Sequence, residues 1–161
     1  MITCTFEHSN EGLLRHVTVG AIVINDNKEV LLVKRAPHLI NGNKFALPGG
    51  FLDRDETAEQ GALRELKEET GYEGKVINLF QIIDSPSRPK EDRQNVDFKY
   101  IVELTGGQKI DNNEVESIEW VSLDNLPSDS ECAFDHLESI KLYKKYLEKP
   151  FPLPVMNWKI L

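Results

Sequence analysis

Residues 50–72 read GFLDRDETAEQGALRELKEETGY, and this stretch organises everything around it. Thr57 and Gln60 have the spacing of a capping box, in which each side chain satisfies the other's backbone N–H at a helix start. Asp55 and Glu56 stand just ahead, where the positive end of the helix dipole favours anions. The helix is expected to run to about Thr70, with Gly71 supplying the left-handed C-cap. Ala58, Ala62 and Leu66 recur every four residues and give the helix an apolar side to bury. Gly61 lies inside it at a cost of about 1 kcal/mol relative to alanine, which suggests a close approach to neighbouring backbone.

The same spacing crowds Glu65, Glu68 and Glu69 onto one face, three and four residues apart. Like charges so placed destabilise a bare helix by about 0.2–0.5 kcal/mol per pair. A solvated acidic face is the bland reading of such a run, and only Arg64 and Lys67 lie near enough in sequence to offset it. Hard divalent cations take oxygen ligands, and magnesium is held by a few carboxylates together with waters and substrate phosphates. Three glutamates beside a glycine turn suit that need.

Written as a pattern, the stretch is G-x5-E-x7-R-E-U-x-E-E-x-G-U, with U a bulky apolar residue. It resembles the signature of the Nudix hydrolases, which cleave a nucleoside diphosphate linked to another group. Tyr72 departs from it, since the family usually carries an aliphatic residue there. The resemblance implies that Glu65, Glu68 and Glu69 bind Mg2+ or Mn2+, joined by the backbone carbonyl of Gly50. It implies that Arg64 orients those carboxylates and that Glu56 pairs with Arg64. For the general base the family uses either a box glutamate, here Glu68, or an acidic residue on a distant loop. Among Asp111, Glu114 and Glu116, Glu114 is the candidate that resembles this extra acidic residue.

Composition sets the frame. At 161 residues, with 40% hydrophobic and 29% charged residues, the chain is expected to form a single domain, residues 1–161, with a proper core. Two cysteines, Cys4 and Cys132, make no disulfide framework or metal motif, which favours a reducing, cytoplasmic setting. The stretch MITCTFEHSN lacks the basic start and apolar run of a signal peptide, and no run is long enough to span a membrane. A net charge of −8 argues against nucleic-acid partners, although bound cations would still admit a small phosphorylated substrate.

Outside the box, residues 16–25 alternate into a strand, Asp26-Asn27 turns, and residues 29–34 return as in a hairpin. Residues 44–48 read as a short extended piece. Residues 75–84, 96–104 and 118–123 read as further strands. A second helix starts between Ser128 and Glu131 and ends at Glu148, where Pro150 stops it. Mixed strands flanked by two helices suit an α+β chain arranged as an α/β/α sandwich, the fold that the resemblance also implies. The tail, residues 150–161, holds three prolines and Trp158.

Selectivity lies elsewhere than the box. Ser85-Pro86-Ser87-Arg88 resembles a loop of the ADP-ribose pyrophosphatase branch, with Pro-Lys replacing the branch's Asp-Pro. Ala133-Phe134-Asp135-His136 resembles a helix start in the same branch. Arg88 and Arg93 are candidates to hold a phosphate or ribose, with an exposed loop pairing to Glu91 and Asp92 as the alternative. Arg35 and Lys44 are expected to flank the cleft, while His136, Trp120 and Phe134 are expected to pack. The expected function is hydrolysis of ADP-ribose or another nucleoside diphosphate sugar. The alternatives are a MutT-like nucleoside triphosphate pyrophosphatase and an ADP-ribose sensor without turnover. A homodimer is compatible with the sequence.

Overall fold

The computed structural model describes residues 2–88 and 93–158. Its elements in chain order begin with strands β1 (Ile2–Thr5), β2 (Glu11–Leu14), β3 (Val17–Ile22), β4 (Glu29–Arg35), β5 (Phe45–Ala46) and β6 (Gly49–Phe51). Helix α1 (Ala58–Thr70) follows, then β7 (Tyr72–Ile83), β8 (Val96–Gly107), β9 (Val115–Ser122), helix α2 (His136–Glu148) and β10 (Val155–Met156). One mixed sheet has the order β10-β7-β8-β3-β6 and a second the order β5-β4-β9, while β1 and β2 form a two-stranded sheet.

Residue parity explains the layers. On β3, Val19 and Ala21 join a buried cluster with Ala62 and Leu66 of α1, whereas Ile22 joins a second cluster with Ile140 and Tyr143 of α2. On β4, Leu31 and Val33 belong to the first cluster and Val30 and Leu32 to the second. Both strands are therefore covered on both faces, as alternating side chains require when a helix lies on each side. The result is the α/β/α arrangement with mixed pairing that the sequence suggested.

Three expectations need correction. The hairpin of residues 16–25 and 29–34 is reduced to an isolated bridge, Ile24 to Val30, and the strands part into different sheets. With apolar residues on both faces, β3 takes β8 and β6 as neighbours and β4 takes β9 and β5. Helix α2 starts only at His136. Residues 131–133 are drawn instead into backbone bonds with Phe45, and Phe134 has a φ of 51°, which breaks any helix running through it. Gly61 is crowded by side chains and not by backbone, because a Cβ there would lie 2.8 Å from Glu56 Oε1 and 3.0 Å from Leu52 Cδ1.

The tail packs back. β10 runs parallel to the end of β7, and Val155 is buried. Asn157 then fastens the following loop. Its backbone N–H donates to Ile82 O (2.7 Å), and its Oδ1 accepts from Asp84 N and Ser85 N, each at 3.0 Å. Its Nδ2 donates to Asp84 Oδ1 at 2.9 Å, and Gln81 Nε2 donates to its carbonyl.

Arg88 does not reach toward a ligand. Its side chain is 3% exposed, and it donates to both oxygens of Asp135 (2.7 and 2.8 Å) and to Asp97 (3.2 Å). Lys99, equally buried, donates to Asp97 at 2.6 Å. Burial pushes the Asp97 carboxyl up, but Lys99 and Arg88 more than offset this and hold it far below the usual carboxylate range. The two carboxylates are thus neutralised inside the protein, as buried ions must be. Arg88→Ala removes one partner and leaves a buried charge uncompensated. It is expected to cost about 3–5 kcal/mol of folding stability, measured by urea unfolding; a loss below 1 kcal/mol would contradict this account.

Candidate active site

The chain's acidic helix face meets its double glycine. Thr57 Oγ1 accepts from Gln60 N (3.2 Å) and Gln60 Oε1 accepts from Thr57 N (2.8 Å), so the capping box forms as the spacing predicts. Gly71 closes α1 with a φ of 76°. Leu66 and Ala62 bury one side of the helix, which turns Glu65 and Glu69 toward β6. Glu69 Oε2 accepts from Gly49 N at 2.9 Å. At Gly50, a Cβ would lie 2.5 Å from Glu65 Oε1, so only glycine lets the strand come this near the carboxylate.

Arg64 gathers the remaining carboxylates. Its Nε and Nη2 bind both oxygens of Glu56 (3.0 and 2.8 Å), and Nη1 reaches Glu65 (2.9 Å) and Glu68 (3.0 Å). Nη2 also donates to Phe51 O at 2.9 Å, tying the helix to the end of β6. The Glu56 hydrogen bond raises the Arg64 pKa and lowers that of Glu56.

Arg35, Arg64 and Arg93 stand against Asp53, Glu65, Glu68, Glu69 and Glu114 here, and Arg64 is also claimed by Glu56, so negative charge prevails. Burial pushes Glu65 up despite Arg64, and burial pushes Glu69 up to about 8 despite the Gly49 hydrogen bond. Oxygen donors that are desolvated, mutually repelling and short of positive charge form the chemistry of a hard-cation site. Asp97, Asp135 and His136 also bring ligand atoms within 4.8 Å of one another. There, however, Arg88 and Lys99 supply the charge, and His136 Nδ1 is taken up by Leu47 N at 3.0 Å. That group is a structural ion cluster, and His136 is a packed residue as expected.

A cavity of about 490 Å³ opens over the carboxylates. Arg35, Gly49, Gly50, Phe51, Arg64, Glu65, Glu68, Glu69, Arg93 and Glu114 contribute to its wall. Of the cations read from sequence as candidate contacts, Arg35 and Arg93 are therefore at the cleft. Each also lies over a ring, Arg35 5.5 Å from the Phe134 centroid and Arg93 5.3 Å from that of Phe51. Arg88 is turned inward, and Lys44, half-buried beside β5, does not contribute to the wall. Glu91 and Asp92 lie outside the described residues. Two participants escaped the sequence reading. Phe51 presents an exposed ring at the cavity edge, and Asn112 joins the loop before β9 to the end of α1. The pair Asn112-Asn113 just ahead of Glu114 was the available signal, since asparagine builds local turns.

A family model for the NUDIX domain matches residues 14–143. The chain is 38% identical over 130 residues to an ADP-ribose pyrophosphatase of Methanocaldococcus jannaschii, covering 81% of this chain and 73% of that protein. It is 40% identical over 117 residues to a putative 8-oxo-dGTP diphosphatase of Bacillus subtilis, covering 68% and 70% respectively. A NUDIX hydrolase from Nitrosomonas europaea superposes with a TM-score of 0.77 over 93% of this chain and 82% of that one. At 24% identity that likeness speaks for the fold alone.

The electrostatics give a testable pH dependence. Glu69 holds its proton more tightly when folded than at its ordinary value of 4.5. The resulting stability is fully present below about 4.5 and is lost as pH rises through about 8. In chelator, urea midpoints are therefore expected to fall across that window, and Glu69→Gln is expected to flatten the slope. Midpoints that rise over the same window would contradict it.

Proposed function

The chain belongs to the Nudix hydrolase family, and from that premise we propose that it is a divalent-metal-dependent pyrophosphohydrolase of ADP-ribose or a similar nucleoside diphosphate sugar. The products are a nucleoside monophosphate and a sugar phosphate. The observation that carries the metal dependence is the convergence of Glu65 and Glu69 on Gly49-Gly50 with too little positive charge to balance them. Glu65, Glu68, Glu69 and the Gly50 carbonyl would hold magnesium or manganese. When bound, such an ion neutralises phosphoryl oxygens and lowers the pKa of a water.

The remaining work falls to the chain's own groups. Arg64 fixes the carboxylates of Glu65 and Glu68 and is itself fixed by Glu56, so the acidic face keeps its shape as charge redistributes. Glu114, exposed at the cavity wall, accepts the proton of the attacking water. Arg35 and Arg93 present guanidinium forks to the phosphates from the rim. Phe51, beside Arg93, offers an apolar surface to the nucleoside.

The substrate class rests on the Methanocaldococcus relative, whose similarity extends over more of this chain than that of the Bacillus protein. The latter favours a second reading, hydrolysis of an oxidised nucleoside triphosphate to the monophosphate and pyrophosphate. A panel of ADP-ribose, other nucleoside diphosphate sugars, 8-oxo-dGTP and the common triphosphates decides between them. With magnesium or manganese present and products separated by chromatography, kcat/KM is expected to be highest for ADP-ribose. Preference for 8-oxo-dGTP would replace the first reading by the second. Glu68→Gln is expected to lower turnover by about 10²–10³-fold on the preferred substrate, and full turnover by that variant would remove Glu68 from the site.

A further inference from the structure

Helix α1 ends close to the loop that carries Glu114, and one side chain spans the gap. Asn112 Nδ2 donates to Glu69 O at 2.8 Å and to Glu68 O at 3.2 Å. These carbonyls belong to the last helical turn, where no further intrahelical donor is available. Asn112 Oδ1 accepts from Glu114 N at 2.8 Å and from Val115 N at 2.9 Å. Two carbonyls on one side and two N–H groups on the other fix which way the amide faces, and they use both of its donors and both of its lone pairs. Ile110 N adds a bond to Thr70 O at 3.3 Å on the same helix end. On its far side, Glu114 O accepts from Ala36 N at 2.9 Å. The backbone of Glu114 is thus held from both directions, by Ala36 just past β4 through its carbonyl and by α1 through Asn112.

We propose that Asn112 is a positioning residue for hydrolysis, setting Glu114 at a fixed distance from the carboxylates of Glu68 and Glu69. This deepens the reading of Glu114 as proton acceptor and rests on it. Asn112 lies beside Glu65, Glu68 and Glu69, but its amide is spent on backbone groups of Glu68, Glu69, Glu114 and Val115, and it acts through them. An exposed loop glutamate would otherwise sample many positions, and proton transfer needs the acceptor within hydrogen-bond reach of the water.

A double-mutant cycle tests this with ADP-ribose and with 8-oxo-dGTP at saturating magnesium. Asn112→Ala is expected to lower kcat by about 10–100-fold with KM near the wild-type value. In the Glu114→Ala background the same substitution is expected to cause no further loss, because the group it positions is already gone. An equal loss in both backgrounds would overturn the inference, showing that Asn112 acts on the helix and not through Glu114. Wild-type kcat in Asn112→Ala would overturn it too, while a slow Glu114→Ala kept the proton-acceptor reading intact. Full activity in Glu114→Ala would remove both. Thermal unfolding checks each variant. Should the alanine variant not fold, Asn112→Ser keeps an acceptor for Glu114 N but gives up the reach to α1, and the same cycle applies.

Discussion

The approach of β6 to helix α1 is the constraint on which the site depends. A strand bearing side chains could not lie this near Glu65, since a Cβ at Gly50 would stand 2.5 Å from its carboxylate. With glycine there, the Gly49 N–H binds Glu69, and Phe51 O, one residue beyond Gly50, accepts from Arg64. The strand and helix are therefore joined by the very groups that make the cleft acidic. Strand β3 holds β6 from behind through the register Val19 to Gly50, so the glycines cannot drift from the helix. The geometry of the candidate site and the packing of strand on helix are here the same set of contacts.

Two groups of buried charge show opposite solutions to one problem. Around Asp97 and Asp135, the protein supplies Arg88 and Lys99, and the cluster is closed to solvent and balanced. Around Glu65 and Glu69 the cations are outnumbered, since Arg64 is shared among Glu56, Glu65 and Glu68, and burial pushes both carboxyls up. The first arrangement stabilises a loop; the second stores an affinity for positive charge from outside. Both groups bring carboxylates together, and what distinguishes them is the balance of charge, matched by Arg88 and Lys99 in the first and left negative in the second.

Much of the site was legible because its information is local. Caps, the Glu65–Glu68–Glu69 face and the Gly71 terminus depend on residues within four positions, and the structure forms each as the spacing predicts. What stayed hidden depends on distant partners. In the sequence Arg88 is either a candidate phosphate or ribose contact or an exposed loop residue, whereas Asp135, 47 residues away, draws it inward. A signal existed in Asp97 and Lys99, two charges on the same face of a strand whose neighbours are apolar. The split of β3 and β4 into two sheets was masked by the turn at Asp26-Asn27, which looks the same whether its strands pair or part. Asn112 reaches 43 and 44 residues back to α1, beyond any periodic reading.

The seating of Asn157 on Asp84 and Ser85 ties the tail to the loop that leads to Arg88. These contacts join residues 73 and 72 positions apart. Asp84 and Ser85 form the base of that loop, and Arg88 at its far end is the buried partner of Asp97 and Asp135. A substitution at Asn157 would therefore be felt at the ion cluster, although the two are remote in sequence. Insertions and deletions in the tail are constrained for the same reason, because Val155, Met156 and Asn157 must together keep their register with β7.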